Sequence, residues 1–351
     1  MKLTDIKKVL EEAFEKNEKL EEKYNICDGE KENIKSFFFP QTEKYLEFKR
    51  TDKGTEFFPV NNGLVNDSDG TGSDETDGAK EKINVVVRAK PCSVEALEVF
   101  DYVFLSEPVD PLYKEKREKT IIISSSCREL KNSCFCTSVG IDPYKPVGGD
   151  VRIDDSTGGV VGVTPKGKDF LEEIFEADES KKSEIQKLEV DQESDLEKGN
   201  VKTSTEREAE KDLANRLKDK LDNMQDSKLW DELSLRCLGC GVCTYYCPSC
   251  HCFDVCDYYK KDTGSRYRAW DSCMFSEFTS MAGGHNPRPT KKDRIKNRFY
   301  HKFNYLPKLY EKLGCVGCGK CLVHCPVGIS PLTLLREMGE IEDEDKSIST
   351  S

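Results

Sequence analysis

The chain has 351 residues, 34% charged and 36% hydrophobic, and its 66 Asp and Glu against 54 Lys and Arg give a formal net charge of −12. That balance argues against a general nucleic-acid binder, and no apolar run approaches the length that crosses a bilayer. Seventeen cysteines follow a start, Met1-Lys2-Leu3-Thr4-Asp5-Ile6-Lys7-Lys8, without an apolar leader core. They read as metal ligands or redox thiols of a cytoplasmic protein in an anaerobic or microaerobic cell, not as disulfides.

From the N-terminus, Ile6, Val9, Leu10 and Ala13 mark an amphipathic pattern. Residues 61–82 are rich in Asp, Gly, Ser, Thr and Asn with almost nothing to bury, which predicts a disordered insertion. Ile83–Arg88 is a β-branched run suited to a buried strand. After Pro91-Cys92, the residues Val94, Leu97, Phe100 and Val103 recur at helical steps, with Ser93 as the expected N-cap. Thr120–Ile123 is the next strand, and Cys127 lies just beyond it. A right-handed βαβ unit would put Cys92 and Cys127 at the carboxyl ends of neighbouring parallel strands, where open α/β sheets place their sites.

Cys134-Phe135-Cys136 adds two thiols in a tight turn, making Cys92, Cys127, Cys134 and Cys136 candidate metal ligands. Their spacing, C-x34-C-x6-C-x-C, matches no general ferredoxin rule, and buried cysteine acting as a small hydrophobe is the competing reading. Gly158-Gly159-Val160-Val161-Gly162 lacks the dinucleotide pattern G-x-G-x-x-G and its strand–turn–helix setting. Half of residues 178–227 are charged. The block reads as an interdomain linker whose last part, with Leu213, Leu217 and Leu221 at four-residue steps, is helical.

Two runs then repeat one spacing, C-x2-C-x2-C-x3-C-P: Cys237, Cys240, Cys243, Cys247 with Pro248, and Cys315, Cys318, Cys321, Cys325 with Pro326. This is the spacing of a two-cluster bacterial ferredoxin, in which the fourth cysteine ligates the other cluster. Cys237, Cys240, Cys243 and Cys325 are therefore expected to hold one 4Fe–4S cluster, and Cys315, Cys318, Cys321 and Cys247 the second; Cys92, Cys127, Cys134 and Cys136 would hold a third. Structural zinc is the bland alternative, but its tetrahedral sites need neither the third cysteine at the same step nor the fourth before proline.

Between the runs, Cys250, Cys252, Cys256 and Cys273 are open to roles as ligands, redox thiols or packing, and Cys27 stands alone. Residues 288–302 hold seven Lys or Arg against one acid, a solvated face or a set of cations shielding clusters or docking an acidic partner. Ser330-Pro331 opens a helix with Leu332, Leu335 and Met338 on one face, before an acidic tail expected to fray. The architecture expected is α+β. It comprises an N-terminal α/β domain with a small sheet (1–177), a linker (178–227), a two-cluster ferredoxin-like domain with a long insertion between its motifs (228–339) and a tail (340–351).

Several blocks occur in a fixed order: Phe37-Phe38-Phe39-Pro40-Gln41-Thr42-Glu43, Pro91-Cys92, Asp110-Pro111-Leu112-Tyr113, Cys134-Phe135-Cys136-Thr137-Ser138, the first cysteine run, Trp270-Asp271-Ser272-Cys273 and Met281–Arg288. In this order they resemble the beta subunit of soluble nickel–iron sulfhydrogenases and the similar iron–sulfur subunit of anaerobic sulfite reductases. The resemblance implies an electron-transfer subunit with two 4Fe–4S clusters, working beside a flavin subunit that reacts with NAD(P)H and a catalytic subunit that reduces protons or sulfite. Lys90-Pro91-Cys92-Ser93 departs from the family's Arg-Pro-Cys-Asp, Cys256 stands where the family commonly has an acid, and the region before Phe37 is short. A cluster-linked thiol–disulfide reductase using Cys250, Cys252 or Cys273 and a zinc-stabilised interaction module are the alternatives from other functional classes.

Overall fold

The computed structural model describes residues 6–60, 82–153, 159–176 and 204–340. The predicted insertion therefore falls, but for Lys82, outside the described residues, as do most of the charged block before Ser204 and the tail beyond Glu340. Nine strands are described: β1 (Tyr24–Asp28), β2 (Thr42–Thr51), β3 (Gly54–Pro59), β4 (Ile83–Ala89), β5 (Thr120–Ser125), β6 (Val151–Ile153), β7 (Val160–Gly162), β8 (Phe253–Lys260) and β9 (Thr263–Trp270). The main helices are α1 (Ile6–Lys16), α2 (Pro91–Phe104), α3 (Pro111–Glu118), α4 (Pro165–Glu176), α5 (Ser204–Asp222), α6 (Leu229–Arg236), α7 (Lys291–Tyr300) and α8 (Pro331–Glu337).

One sheet runs in the order β1-β4-β5-β6-β7, parallel except for β7. Its central strands are covered on both faces, and successive side chains alternate between them. Val85, Val87, Ile121 and Ile123 face Leu10, Ala13 and Phe14 of α1 and Phe170, Leu171 and Ile174 of α4. Val86 and Ile122 face Val94, Leu97 and Phe100 of α2, together with Phe37, Phe38, Phe39 and Tyr113. The expected β4–α2–β5 unit is present with parallel strands. Its helix cap differs from expectation: Lys90 is the extended N-cap residue, Pro91 occupies the first turn, and Ser93 is buried inside the helix. Proline's fixed φ and missing N–H suit that first position, so it outcompetes a serine cap two residues later.

A second sheet, in the order β3-β2-β9-β8, was not legible in the sequence. β2 pairs antiparallel with β9, so the segment between the two cysteine runs completes a sheet begun near the N-terminus. Buried Glu43 of β2 accepts ion pairs from Lys116 and from Arg268 of β9, at 2.6 Å for the latter, and Arg268 also reaches Asp110 at 2.6 Å. This buried network of ion pairs ties β2 to β9 and helps to fix their register.

The third core surrounds Trp230, which is fully buried and donates its indole N–H to Met224 O at 2.6 Å. Leu217 and Leu221 of α5 pack there with Phe299, Tyr300 and Phe303, as do Leu334 and Leu335 around α8. The last part of the expected linker is thus a structural wall of this core, because its leucine stripe finds a hydrophobic partner. Ser330 and Pro331 start α8 as expected, and Glu340, expected to fray, is held by Arg216 at 3.0 Å and Lys220 at 2.5 Å.

Candidate iron–sulfur centres

The two cysteine runs fold alike. Gly239 and Gly241 have φ of 71° and 74°, Gly317 and Gly319 of 60° and 69°, and a short helical turn follows in each. Left-handed backbone at both glycines curls three cysteines around one side of a cavity. Tyr246 and His324, in equivalent positions of the two runs, stack with ring centroids 3.6 Å apart, as residues near a local two-fold axis do.

Each crossed set lines one cavity. Cys237, Cys240 and Cys243 of the first run and Cys325 of the second surround about 420 Å³, closed by Met274, Ile295, Ile329 and Arg298. Cys315, Cys318 and Cys321 with Cys247 surround about 290 Å³, closed by Phe135, Lys302 and Arg298. Among the described residues no three His, Cys, Asp or Glu side chains converge as ligands of a single ion. Thiols spread around a cavity suit an inorganic core with its own volume better than a tetrahedral zinc with bonds of about 2.3 Å. Backbone amides turn to the sulfurs: Gly239 N–H to Cys237 and Ile329 N–H to Cys325, both at 3.3 Å.

The surrounding charges fit an anionic group. Arg298 and Lys302 are 3% exposed and Lys35 2%. Lys302 donates to Ser249 Oγ at 3.1 Å and Gly314 O at 2.8 Å; Lys35 reaches the carbonyls of Thr244 and Tyr245 and lies 3.6 Å from the Trp270 ring centre. No carboxylate pairs with any of the three among the described residues. Burial opposes the Lys302 charge, but Cys247, Cys250 and Cys315 hold its pKa above the usual lysine value. For Lys35 burial wins and the pKa falls. Arg298 retains two buried nitrogens without partners among the described residues. Cations buried this way need negative charge nearby, and a thiolate-ligated cluster supplies it.

Three of the four cysteines between the runs enter sulfur pairs, one of them with Cys247 of the first run. The Cys250 thiol donates to Cys247, which together with Lys302 and Ser249 holds Cys247 well below the usual thiol range. Cys252 is pulled down to about 7, chiefly by the Cys273 thiol. Cys256 is exposed on β8, and Cys27 is buried on β1, where burial pushes its thiol up to about 11.

Cys92, Cys127, Cys134 and Cys136 line an open cleft of about 1190 Å³ with Lys90, Lys131, Lys320 and Cys318. Cys92 begins α2 and Cys127 follows β5, at the carboxyl edge of the sheet as expected. Burial pushes the Cys92 thiol up to about 12. The cleft abuts the second cavity. Phe135 N–H donates to Gly317 O at 2.8 Å, and Cys318 lines both spaces.

Gly317 makes this approach possible. A Cβ there would lie 2.5 Å from the backbone N and Cα of Cys136. Gly317→Ala is expected to destabilise by about 3 kcal/mol or more, combining left-handed strain with overpacking against immovable backbone. Gly283→Ala has similar strain at φ +89° but open space around it, and should cost about 1–2 kcal/mol. Denaturant midpoints compare the two, and equal losses would refute the close-approach argument.

The basic run, open in sequence to roles as a solvated face, cluster shielding or a docking patch, divides between solvent and interior. Lys292 is on the solvated face, paired with Asp231, whereas Arg298 and Lys302 turn inward one helical turn apart beside Ile295, Phe299 and Phe303. A π-helical turn over His301–Tyr305 carries Lys302 toward Cys247. Four-residue spacing beside three buried apolar residues was the one sequence signal for it.

His251 and His301 meet edge to face at 5.3 Å, and burial lowers their pKa values to about 3 and about 4. Both values lie below the unfolded 6.5, so the unfolded chain binds more protons as pH falls from 6.5 toward 4. Stability present above pH 6.5 is therefore lost over that window, at up to about 1.4 kcal/mol per pH unit for each group. The urea midpoint should fall accordingly, and His301→Gln should flatten the slope; a wild-type slope in that variant would refute the assignment.

Among the described residues no helix is long and apolar enough to cross a membrane. No solved structure matches the chain. Residues 236–329 match the family model of the 4Fe-4S dicluster domain. Subunit beta of sulfhydrogenase 2 from Pyrococcus furiosus is 34% identical over 255 residues, covering 71% of this chain and 72% of the relative. With both cysteine runs, their crossed cavities and this extent of identity in place, the chain belongs to the sulfhydrogenase beta-subunit family.

Proposed function

We propose that this chain is an electron-relay subunit holding two 4Fe–4S clusters in the crossed cysteine sets and a third on Cys92, Cys127, Cys134 and Cys136. The observation that carries the reading is the serial arrangement of the three sets. The first and second cavities share Arg298, and the second cavity and the cleft share Cys318. Cys240 is exposed at one end, the middle set is largely buried, and the cleft opens at the other end. When bound, such clusters accept and release single electrons, linking two-electron flavin chemistry to a partner's metal centre.

The residues of this chain insulate and orient. Phe135, Val316 and Pro331 wall the middle set, and Cys250, Lys302 and Arg298 surround its thiolates with donors and positive charge that favour the reduced state. Leu235 and Leu238, 84% and 62% exposed near Cys240, offer an apolar docking edge. The partners proposed are a flavin subunit that reacts with NAD(P)H and a catalytic subunit of hydrogenase or sulfite-reductase type. Residues 1–177 and 228–339 are the proposed units, connected along the chain by 178–227 and joined in space by the β2–β9 pairing.

Iron and acid-labile sulfide in the anaerobically purified chain test this reading. About twelve irons support all three sets and about eight the two crossed sets alone, whereas zinc without sulfide would overturn it. The Cys252–Cys273 contact favours a second reading, a cluster-linked disulfide reductase. It requires alkylation of those two thiols to abolish disulfide reduction while the iron content stays intact.

A further inference from the structure

Arg298 projects from α7 and lines both crossed cavities. It is 3% exposed, yet its Nε and Nη2 have no hydrogen-bond partner among the described residues. The side chain reaches the Cys321 sulfur of the second set. The thiols acting most strongly on its charge are Cys243, from the first set, and then Cys321. Helix α7 is held rigidly: Thr290 and Asp293 close a capping box at its start, and Ile295 and Phe299 are buried. The unpartnered N–H groups of a rigidly held guanidinium mark where acceptors belong, and the acceptors those cavities would hold are sulfurs.

We propose that Arg298 is a positioning residue shared by the two crossed sites, donating N–H hydrogen bonds to sulfur on both sides and so setting the reduction potential of both clusters at once. The planar fork is what permits this, because its donors point in divergent, fixed directions while a lysine ammonium is a single point of charge. Hydrogen bonds and positive charge favour the more negative, reduced state on each side. Reduction at one site also draws on the same cation as reduction at the other, so the second becomes harder once the first has occurred.

The inference rests on the two-cluster reading above, so iron and sulfide are measured first on the wild-type chain; a chain without them refutes that reading independently of Arg298. With the clusters present, Arg298→Gln is examined by EPR during a redox titration. The expected result is at least a tenfold fall in the reduced-to-oxidised ratio of both clusters at fixed potential, 59 mV per tenfold for one electron. Arg298→Lys should restore the wild-type ratio at no more than one of them. A shift at one cluster only in the Gln variant, a shift at neither, or full restoration of both by Lys overturns the proposal. A readout that needs no variant comes from wild-type chain labelled with 15N in its arginine guanidinium groups. Pulsed EPR should show 15N coupling in both cluster signals, and its absence from either overturns the proposal.

Discussion

Replacing Cys325 by Ser is expected to remove the cluster proposed for the first cysteine run, although Cys325 belongs to the second. Cys325 lines the first cavity with Cys237, Cys240 and Cys243, and Ile329 N–H points to its sulfur at 3.3 Å. Serine keeps the shape but offers a hydroxyl that is not ionised near neutral pH in place of a soft thiolate, and iron–sulfur cores select thiolates. About four irons should be lost from the chain, together with one EPR signal. Cys240→Ser should remove the same signal and Cys318→Ser a different one. The decisive comparison is non-additivity. Combining Cys240→Ser with Cys325→Ser should lose little more iron than either alone, while combining Cys318→Ser with Cys325→Ser should lose both clusters. If Cys325→Ser instead behaves like Cys318→Ser, each run holds its own cluster and the crossed assignment is wrong.

Stripping iron with a chelator under reducing conditions should unfold the C-terminal core while leaving the five-stranded sheet in place. Arg298, Lys302 and Lys35 are buried without carboxylate partners among the described residues, and removing the partner of a buried charge costs about 3–5 kcal/mol. Two or three such charges come to about 6–15 kcal/mol, comparable to the roughly 5–15 kcal/mol by which a domain is stable. The core of Val85, Val87, Ile121 and Ile123 with α1 and α4 contains none of the twelve candidate ligand cysteines and should persist. Hydrogen exchange resolves the two regions. Amides at Phe299 and Phe303 should lose protection on iron removal, whereas those at Val86 and Ile122 should retain it. Unchanged protection at Phe299 in the iron-free chain would show that the buried cations are satisfied without a cluster.

What the sequence determined by itself was whatever depends on short-range spacing. Cysteines two residues apart with glycines between them dictate a left-handed loop curled around a core, and the repeat of the spacing identified the two crossed foursomes that the fold gathers around two cavities. The β-branched runs at β4 and β5, the helical steps of α2 and the proline start of α8 were legible for the same reason, since side-chain periodicity and proline's fixed φ act within a few residues. Tertiary structure alone decided the rest. Pairing of β2 with β9 joins residues more than two hundred positions apart through a buried Glu43 network, and β8 beside them is mostly exposed, so its apolar and aromatic residues do not alternate against a core. Lys292 and Arg298 belong to the same basic run, yet one meets solvent and the other lies between two cavities. A charge's role depends on the dielectric and the partners around it, which the neighbouring residues in the chain do not specify. The serial order of the three cysteine sets was likewise settled only when distant loops packed together, through the close approach at Gly317.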